Sequence, residues 1–253
     1  MAAWPERLWI VRHGQSAGNV AADAAEAAGL ERIKLDIRDC DVPLSDLGHT
    51  QAAAVGRWFA RLPGDARPQV VIHSPFVRAC ETAAAIEAAL AAAPHSAAEP
   101  RLTDERLRER EFGVLDRLTR AGVVALHPDQ AAALTTLGKF YHRPPGGESW
   151  TDVILRLRAL LDTISLHHGG QRVLIVAHQV VVLCLRYVLE SLDEASILAI
   201  DRAGDVANCS VTEYDFPASA SGRQRPRLVR YNFVAPMEDI PVTTEPDKAV
   251  AAG

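Results

Sequence analysis

The stretch Leu8-Trp9-Ile10-Val11-Arg12-His13-Gly14-Gln15-Ser16 decides how this chain folds. Its four apolar residues have the length of a short buried β-strand, and the strand stops at an arginine, a histidine and a glycine. Because glycine permits a tight turn, the cation and the imidazole are expected at the carboxyl end of the strand. A histidine there serves as a core residue, a metal ligand or a nucleophile, and this stretch alone does not distinguish the three.

Two later stretches also end a strand with chemically active side chains, namely Val71-Ile72-His73-Ser74 and Ile175-Val176-Ala177-His178. Strands that alternate with helices predict an α/β fold, a three-layer sandwich with a mostly parallel sheet and helices on both faces. The carboxyl ends of parallel strands share one edge of the sheet, where ligands bind. Four basic side chains are therefore expected to cluster at that edge: Arg12, His13, Arg78 and His178.

The other elements follow from periodicity and from start and stop signals. Helices are predicted over 17–31, 45–62, 74–93, 119–126, 128–137, 148–168, 179–190 and 193–201, and further strands over 69–73, 208–214 and 227–233. Ser45 and Ser74 are the predicted N-caps of their helices. The stretches 32–44 and 94–100 are predicted to be irregular, and 101–118 fits no regular element. A single domain is expected over 1–235, followed by a disordered, Pro- and Thr-rich tail over 236–253.

Composition narrows the class of protein. The chain has 253 residues, 48% of them hydrophobic, which suits one sizeable domain. A net charge of −5 without a basic run gives no support to nucleic-acid or anionic-membrane binding. The four cysteines form no C-x-x-C pair, which predicts free thiols and no zinc site. No signal peptide and no run of about 18 apolar residues is present, so we expect a cytoplasmic protein.

Two arginines and two histidines near helix N-termini form a pocket that selects anions, since guanidinium groups match phosphate oxygens. Nearby cations lower the pKa of a histidine, which would keep His13 neutral and able to attack phosphorus. His178 would then hydrogen-bond the phosphoryl oxygens. The leaving alcohol needs a proton donor, and either Glu105 or Glu109 is available in the charge-dense segment.

Arg12-His13-Gly14-Gln15-Ser16, with Asn19 three residues later, resembles the R-H-G-[EQ]-S-x-x-N signature of the histidine phosphatase superfamily, which includes the cofactor-dependent phosphoglycerate mutases. Further motifs match in order: Pro43-Leu44-Ser45 with Gly48 and Gln51-Ala52, Ser74-Pro75 with Arg78-Ala79 and Thr82-Ala83, Leu107-Arg108-Glu109-Arg110 with Phe112-Gly113, Pro145-Gly146-Gly147-Glu148-Ser149, and Val176-Ala177-His178. As a set spanning most of the chain, these motifs are specific to the family.

The resemblance implies a role for each matched residue. His13 would be the phosphorylated nucleophile and Glu109, rather than Glu105, the general acid. The residues implied to hold the phosphoryl group are Arg12, Arg78 and His178, with further contacts from Asn19 and Gln179. Gln15 and Ser16 are candidates either for direct ligands or for residues that shape the loop. The resemblance implies no metal and no cofactor, because the cations of the pocket neutralise the phosphoryl charge.

The final motif reads His178-Gln179 where the family usually has His-Gly. Together with Cys184 it resembles the bisphosphatase domain of the bifunctional enzyme that controls fructose 2,6-bisphosphate. Lys139 and Arg143 also resemble the substrate-binding region of that domain and are therefore candidate substrate ligands. Leu183 and Thr135 stand where that domain carries arginines, which disfavours a sugar bisphosphate as substrate.

The chain also lacks the segment with paired arginines that the mutases carry. The sequence therefore favours a metal-independent phosphomonoester hydrolase acting on a small phosphorylated metabolite. Transfer of the mutase type, or a non-catalytic phosphate-binding regulatory module, are the alternatives. The segments 32–40 and 116–143 are expected to shape the non-phosphate half of the site, and the edge strand at 227–233 suggests a homodimer.

Overall fold

The computed structural model of the protein describes residues 3–94, 101–217, 224–237 and 239–244. The strands are β1 (Arg7–Arg12), β2 (Val70–His73), β3 (Arg101–Thr103), β4 (Arg172–Ala177), β5 (Val211–Asp215) and β6 (Arg227–Phe233). The helices are α1 (Ala17–Ala27), α2 (Asp46–Arg61), α3 (Val77–Ala91), α4 (Arg120–Leu126), α5 (Pro128–Tyr141), α6 (Trp150–His167), α7 (Gln179–Leu189) and α8 (Glu194–Ala203).

The six strands form one sheet in the order β3-β2-β4-β1-β5-β6. The first four of these strands are parallel, whereas β5 runs antiparallel to both β1 and β6. In the centre of the sheet Ile175 of β4 lies between Ile10 of β1 and Ile72 of β2. The predicted mostly parallel sheet is confirmed. The three strands whose carboxyl ends carry the candidate residues, β2, β4 and β1, are adjacent in it.

Alternate side chains of β1 pack into two separate hydrophobic cores. Leu8 and Ile10 pack on the face covered by α6, α7 and α8, and Trp9 and Val11 pack on the face covered by α2 and α3. All four side chains are buried, as expected for a strand covered on both faces. The three-layer sandwich predicted from the sequence is therefore confirmed.

Polar side chains cap the N-termini of five of the eight helices in the described ranges. Ser45 accepts a hydrogen bond from the Gly48 backbone N–H at the start of α2, as predicted. Ser16 and Asn19 form a reciprocal capping box at α1, and Ser149 forms one with Asp152 at α6. These polar side chains satisfy backbone N–H groups that a helix leaves without intrahelical partners.

Ser74 is a correction, because it is not the N-cap that the sequence predicts. The helix α3 begins at Val77 after the N-cap residue Phe76, two residues later than an N-cap at Ser74 implies. The Ser74 backbone N–H still donates to Val176 O at 3.0 Å, so the extended pairing of β2 with β4 continues through this residue. Ser74 is thereby held at the sheet edge, where its hydroxyl is available for another contact.

The segment 101–118, which the sequence left unassigned, contains the edge strand β3 and two short 3-10 turns. β3 pairs in parallel with β2, with Ile72 beside Leu102. Its three residues are all exposed, so no hydrophobic pattern marks it as a strand. The predicted loop at 94–100 falls outside the described residues except for its first position.

Part of the predicted tail packs against the domain. Met237 is buried among the core residues on the α2 side of the sheet. Gln51 Nε2 donates to Pro241 O at 2.9 Å and to Thr243 Oγ1 at 3.0 Å. The described residues after Pro236 therefore contact the domain, and Glu238 and residues 245–253 lie outside the described residues.

The loop after β1 and the start of α2 meet by close backbone contact. A Cβ atom on Gly48 would lie 1.9 Å from Gln15 O, and one on Gly14 would lie 2.5 Å from Gly48 O. Ser45 N also donates to Gln15 O at 2.9 Å. Glycine is required at both positions because no side-chain carbon fits between the two backbones.

We expect Gly48→Ala to lower the free energy of unfolding by about 1–3 kcal/mol or more, as overpacking of a close contact does. Alanine favours a helix over glycine by about 1 kcal/mol, but this gain is smaller than the cost of the backbone overlap. Gly64→Ala is the control, since a Cβ atom there meets nothing within 4 Å. Chemical denaturation measures both variants, and equal stability of the two would contradict the steric argument.

Candidate active site

The ends of β1, β4 and β2 lie side by side and bring their terminal residues together. His13 N donates to Ala177 O at 2.9 Å, which extends the β1–β4 pairing by one residue. The rings of His13 and His178 are consequently 5.1 Å apart between centroids, at an angle of 62°. The expected approach of these two histidines at the sheet edge is present in the structure.

His13 is held in one tautomer. Its Nδ1 lies 2.7 Å from Gly14 O within a buried environment. A carbonyl oxygen only accepts hydrogen bonds, so Nδ1 carries the proton whenever this bond forms. A neutral His13 therefore has its lone pair on Nε2, which makes Nε2 the nucleophilic nitrogen.

His178 is fully buried, and its Nε2 lies 2.8 Å from Ser74 Oγ. Burial lowers the pKa of His178 well below its usual value, and the positive charges of Arg78 and of His13 lower it further. Its buried Nδ1 has no hydrogen-bond partner among the described residues. The neutral ring thus offers one uncommitted nitrogen beside His13, and an incoming anion would favour its protonation.

Arg12 is buried beneath His13 and is held by a loop that the sequence patterns did not single out. Its Nη1 donates to Val206 O. In the same loop Asn208 Nδ2 donates to His13 O at 3.1 Å, and Cys209 N donates to Arg12 O at 3.0 Å. These contacts form because β5 runs antiparallel to β1. The loop before β5 therefore lies at the carboxyl end of β1.

A second set of contacts supports that loop from behind. Thr243 Oγ1 donates to Asn208 Oδ1 at 2.9 Å and accepts from Gln51 Nε2 at 3.0 Å. Gln51 Oε1 in turn accepts from the Gln15 backbone N–H at 2.8 Å. The C-terminal segment therefore links the two loops that flank His13, a role that no motif indicates.

Arg78 is the second residue of α3, is buried and lies at the same edge. Its Nη1 donates to Asp39 O at 2.6 Å, and its Nη2 pairs with Asp39 Oδ2 at 3.0 Å. The guanidinium also lies over the ring of Phe76, 5.0 Å from its centroid. The Asp39 carboxylate thus pairs with a guanidinium that the sequence assigns to phosphate binding, and no motif indicates this pairing.

Glu109 is nearly buried and lines the same pocket as Arg78. Its Oε1 accepts a hydrogen bond from Arg110 N at 2.8 Å. Glu105 and Glu111 are both exposed, so the structure separates Glu109 from its acidic neighbours. The parallel strand β3 brings this segment to the carboxyl edge of the sheet.

Three predicted phosphate ligands make structural contacts. Ser16 and Asn19 bond each other in the α1 capping box, with Asn19 Oδ1 2.9 Å from Ser16 N. The side chain of Gln15 accepts from Ser45 Oγ at 2.7 Å. Ser16 lines the pocket beside Arg78, whereas Gln15 joins the β1 loop to α2 and is not among the lining residues.

The other three predicted ligands each contact an aspartate carboxylate. Gln179 Nε2 donates to Asp205 Oδ1 at 3.0 Å, and the residue begins α7 next to His178. Lys139 Nζ pairs with Asp201 Oδ2 at 2.6 Å, and Arg143 pairs with Asp152 on the exposed surface. The described residues lining the pocket include neither Lys139 nor Arg143, because each cation is directed to a carboxylate of a neighbouring helix.

One pocket shares Arg78 with this group, whereas Arg12, His13 and His178 are not among its lining residues. Its lining combines the polar ends described above with a run of apolar side chains: Ser16, Gly18, Ile33, Leu35, Asp39, Arg78, Glu109, Phe112, Leu115, Asp116, Arg117 and Leu118. Both segments that the sequence assigns to the non-phosphate half, 32–40 and 116–143, contribute to it. Over the described part of the chain, no group of three or more His, Cys, Asp or Glu side chains is arranged to hold a metal ion.

A family model described as the histidine phosphatase superfamily (branch 1) matches residues 8–233. That match covers far more than half of the chain and spans all six strands. The chain belongs to the histidine phosphatase superfamily. The family resemblance inferred from the motifs is therefore confirmed.

The bifunctional protein Rv2228c of Mycobacterium tuberculosis is 29% identical over 225 residues, which cover 87% of this chain and 53% of that protein. This histidine phosphatase chain therefore spans about half the length of that relative. The metal-independent phosphoserine phosphatase of Arabidopsis thaliana is 30% identical over 202 residues, or 80% of this chain and 73% of the relative.

Among solved structures, a mycobacterial glucosyl-3-phosphoglycerate phosphatase in complex with VO3 superposes with a TM-score of 0.68 at 28% identity. The superposition covers 90% of this chain and 99% of that structure. The fold of this histidine phosphatase is therefore shared with a solved phosphatase over nearly its whole described length. None of the helices in the described ranges has the length and apolar character needed to cross a membrane.

The depressed pKa of His178 predicts that stability falls on acidification. An unfolded chain protonates this histidine near pH 6.5, whereas the folded chain resists protonation, so folding loses stability as pH falls below about 6.5. One such proton changes the free energy of unfolding by at most about 1.4 kcal/mol per pH unit. His178→Gln, whose amide can still bond Ser74, should therefore lose less stability between pH 7 and pH 5 than the wild type.

Urea denaturation at several pH values measures this difference. His73 and His142 also have pKa values lowered by burial, so the comparison between variant and wild type isolates the share of His178. His167→Gln, which removes an exposed histidine at the end of α6, controls for the loss of one histidine. Parallel stability curves for wild type and His178→Gln would refute the assignment.

Proposed function

We propose that this chain hydrolyses phosphomonoesters through a phosphohistidine at His13. The observation that supports this most directly is the Nδ1 contact of His13 with Gly14 O at 2.7 Å. It leaves Nε2 as the basic nitrogen at the edge where Arg78 and His178 also lie. A fixed tautomer spares the reaction the cost of orienting the nucleophile.

In the first step the phosphoryl group of the substrate lies between His13 and the neighbouring cations. His13 Nε2 attacks phosphorus, the bond from phosphorus to the ester oxygen breaks, and the alcohol leaves on the opposite side. Arg12 and Arg78 stabilise the charge on the equatorial oxygens, as positioned guanidinium groups do in other phosphoryl transfers. The uncommitted Nδ1 of His178 supplies a further contact to these oxygens.

The departing alkoxide requires a proton, and Glu109 is the proposed donor. Its carboxyl group is nearly buried and shares the pocket with Arg78. After the alcohol leaves, water enters on the same side and gives its proton to Glu109. The hydroxide attacks phosphorus, the bond to His13 Nε2 breaks, and inorganic phosphate is released. No step requires a metal ion, because the basic side chains neutralise the phosphoryl charge.

Replacement of His13 by alanine should abolish turnover of 4-nitrophenyl phosphate, since His13 Nε2 is the nucleophile of the proposed mechanism. The assay is run in excess EDTA, in which the wild type should remain active. Rapid quenching of the wild type with a ³²P-labelled substrate should trap an acid-labile, base-stable label on the protein. Retained activity in a folded His13→Ala variant would remove His13 from the nucleophile role.

The same assays distinguish the two alternative functions. A mutase-type enzyme would isomerise its substrate when primed with a bisphosphate and would release little inorganic phosphate. A regulatory binding module would bind phosphate saturably and show no hydrolysis above background. Either result would replace hydrolysis as the function of this pocket.

Glu109→Gln should slow release of poor leaving groups much more than release of good ones. General acid catalysis contributes about 10²–10⁴-fold to rate, and an alkyl ester needs the proton far more than a nitrophenyl ester does. We expect single-turnover rates to fall at least about 100-fold for an alkyl phosphate and less than about 10-fold for 4-nitrophenyl phosphate. The exposed Glu105→Gln is the matched control.

Equal losses with both esters would show that Glu109 does not protonate the leaving group. A loss of the same size in Glu105→Gln would assign the effect to the net charge of the segment. The single-turnover format measures the first chemical step and excludes slow release of phosphate from the comparison.

Three further expectations belong to this proposal. The natural substrate is a small phosphorylated metabolite, and the chain acts in the cytoplasm without nucleic acid or membrane. A homodimer would form through β6, which lies at one end of the strand order. Light scattering of the purified chain measures the oligomeric state directly.

A further inference from the structure

The pocket beside Arg78 has a wall made of two chain segments that are hydrogen-bonded to each other. Ile33 N donates to Arg117 O at 2.8 Å, and Arg117 Nη1 donates to Leu35 O at 2.8 Å. Thr119 N donates to Glu31 O at 3.2 Å, which extends the contact. The wall is therefore a fixed part of the fold, so the side chains that it presents to the pocket are held in place.

These side chains are mainly apolar. Ile33, Leu115 and Leu118 are buried, and Leu35 and Phe112 are half-buried at the pocket surface. Arg78, Glu109 and Ser16 lie at the other side of the same pocket. A phosphomonoester whose phosphoryl group contacts Arg78 would accordingly extend its alcohol half towards apolar carbon atoms.

The charges around the apolar wall disfavour a second anion. Asp39 and Asp116 both line the pocket, and Asp39 already pairs with Arg78. Arg117 is the basic residue of the wall, but its Nη1 donates to Leu35 O and its Nε lies 3.4 Å from an Asp116 carboxylate oxygen. A carboxylate or second phosphate on the substrate would lie among three acidic side chains, Asp39, Glu109 and Asp116, and two guanidinium groups that already pair with two of them.

We propose that this pocket selects phosphomonoesters whose alcohol is apolar, aromatic or branched aliphatic, and carries no second anionic group. This inference rests on the proposed phosphatase function for the identity of the phosphoryl end. It assigns the segments at 33–39 and 112–118 to the recognition of the leaving group. Asp39 then acts on specificity, since its carboxylate repels a second anion close to Arg78.

Binding of phosphonates tests this selection without any turnover, because a phosphonate has no ester bond to cleave. We compare (1-naphthyl)methylphosphonate with 2-carboxyethylphosphonate by isothermal titration calorimetry. Differences of a methylene in an apolar site already change binding by about 10-fold or more, so the naphthyl ligand should bind at least 10-fold more tightly. Equal or tighter binding of the carboxyethyl ligand, or no binding of the naphthyl ligand, would overturn the proposal.

Two variants locate the effect. Leu35→Ser should weaken naphthyl binding by about 10-fold and leave carboxyethyl binding within twofold, since only the first ligand contacts this side chain. Leu155→Ser is the matched control, because Leu155 is 67% exposed on α6 and does not line the pocket. A thermal melt verifies that each variant is folded.

Asp39→Asn should strengthen binding of the carboxyethyl ligand several-fold more than binding of the naphthyl ligand. Both ligands carry the same phosphonate, so any release of Arg78 from Asp39 affects them alike and cancels in the ratio. An unchanged ratio would contradict the role of Asp39. If the naphthyl preference is found but His13→Ala still hydrolyses esters, the specificity stands and the proposed mechanism fails.

Discussion

The parallel pairing of β1 with β4 is the contact on which the rest of the structure depends. Its register continues for one residue beyond the strands, through the bond from His13 N to Ala177 O. That bond determines the distance between the His13 and His178 rings. Since β2 pairs with the other edge of β4 in the same direction, Ser74 arrives beside His178 as well. The carboxyl ends of three strands thus meet because the sheet pairing places them side by side.

The pairing also concentrates positive charge in a buried place. Arg12, Arg78 and two histidines lie close together, and burial alone disfavours charging all of them. The fold relieves this in two ways: His178 remains neutral because its pKa is depressed, and Asp39 pairs with Arg78. A phosphoryl anion can take over the second role, since the Asp39 carboxylate pairs with the same guanidinium that would bind it.

Individual residues show which parts of the fold and of the site local sequence patterns predict. The short apolar run before Arg12 predicted a strand buried on both faces, because alternating residues had to serve two cores. Ser74 was misassigned as a helix cap, since the Ser-Pro pair fits that role locally while the sheet pairing of its backbone N–H overrides it. Lys139 and Arg143 were candidate substrate ligands by resemblance alone, and their carboxylate partners lie 62 and 9 residues away in the chain.

The sequence by itself determined the fold class, the order of the elements apart from β3 and the four basic residues at the sheet edge, because apolar periodicity and strand-end chemistry are local patterns. Only the tertiary structure decided that Asp39 pairs with Arg78, that Asn208 and Thr243 support the His13 loop, and that an apolar wall adjoins Glu109. Each of these contacts joins residues far apart in the chain. Their partners are chosen by the geometry of the packed layers, which no local pattern of residues encodes.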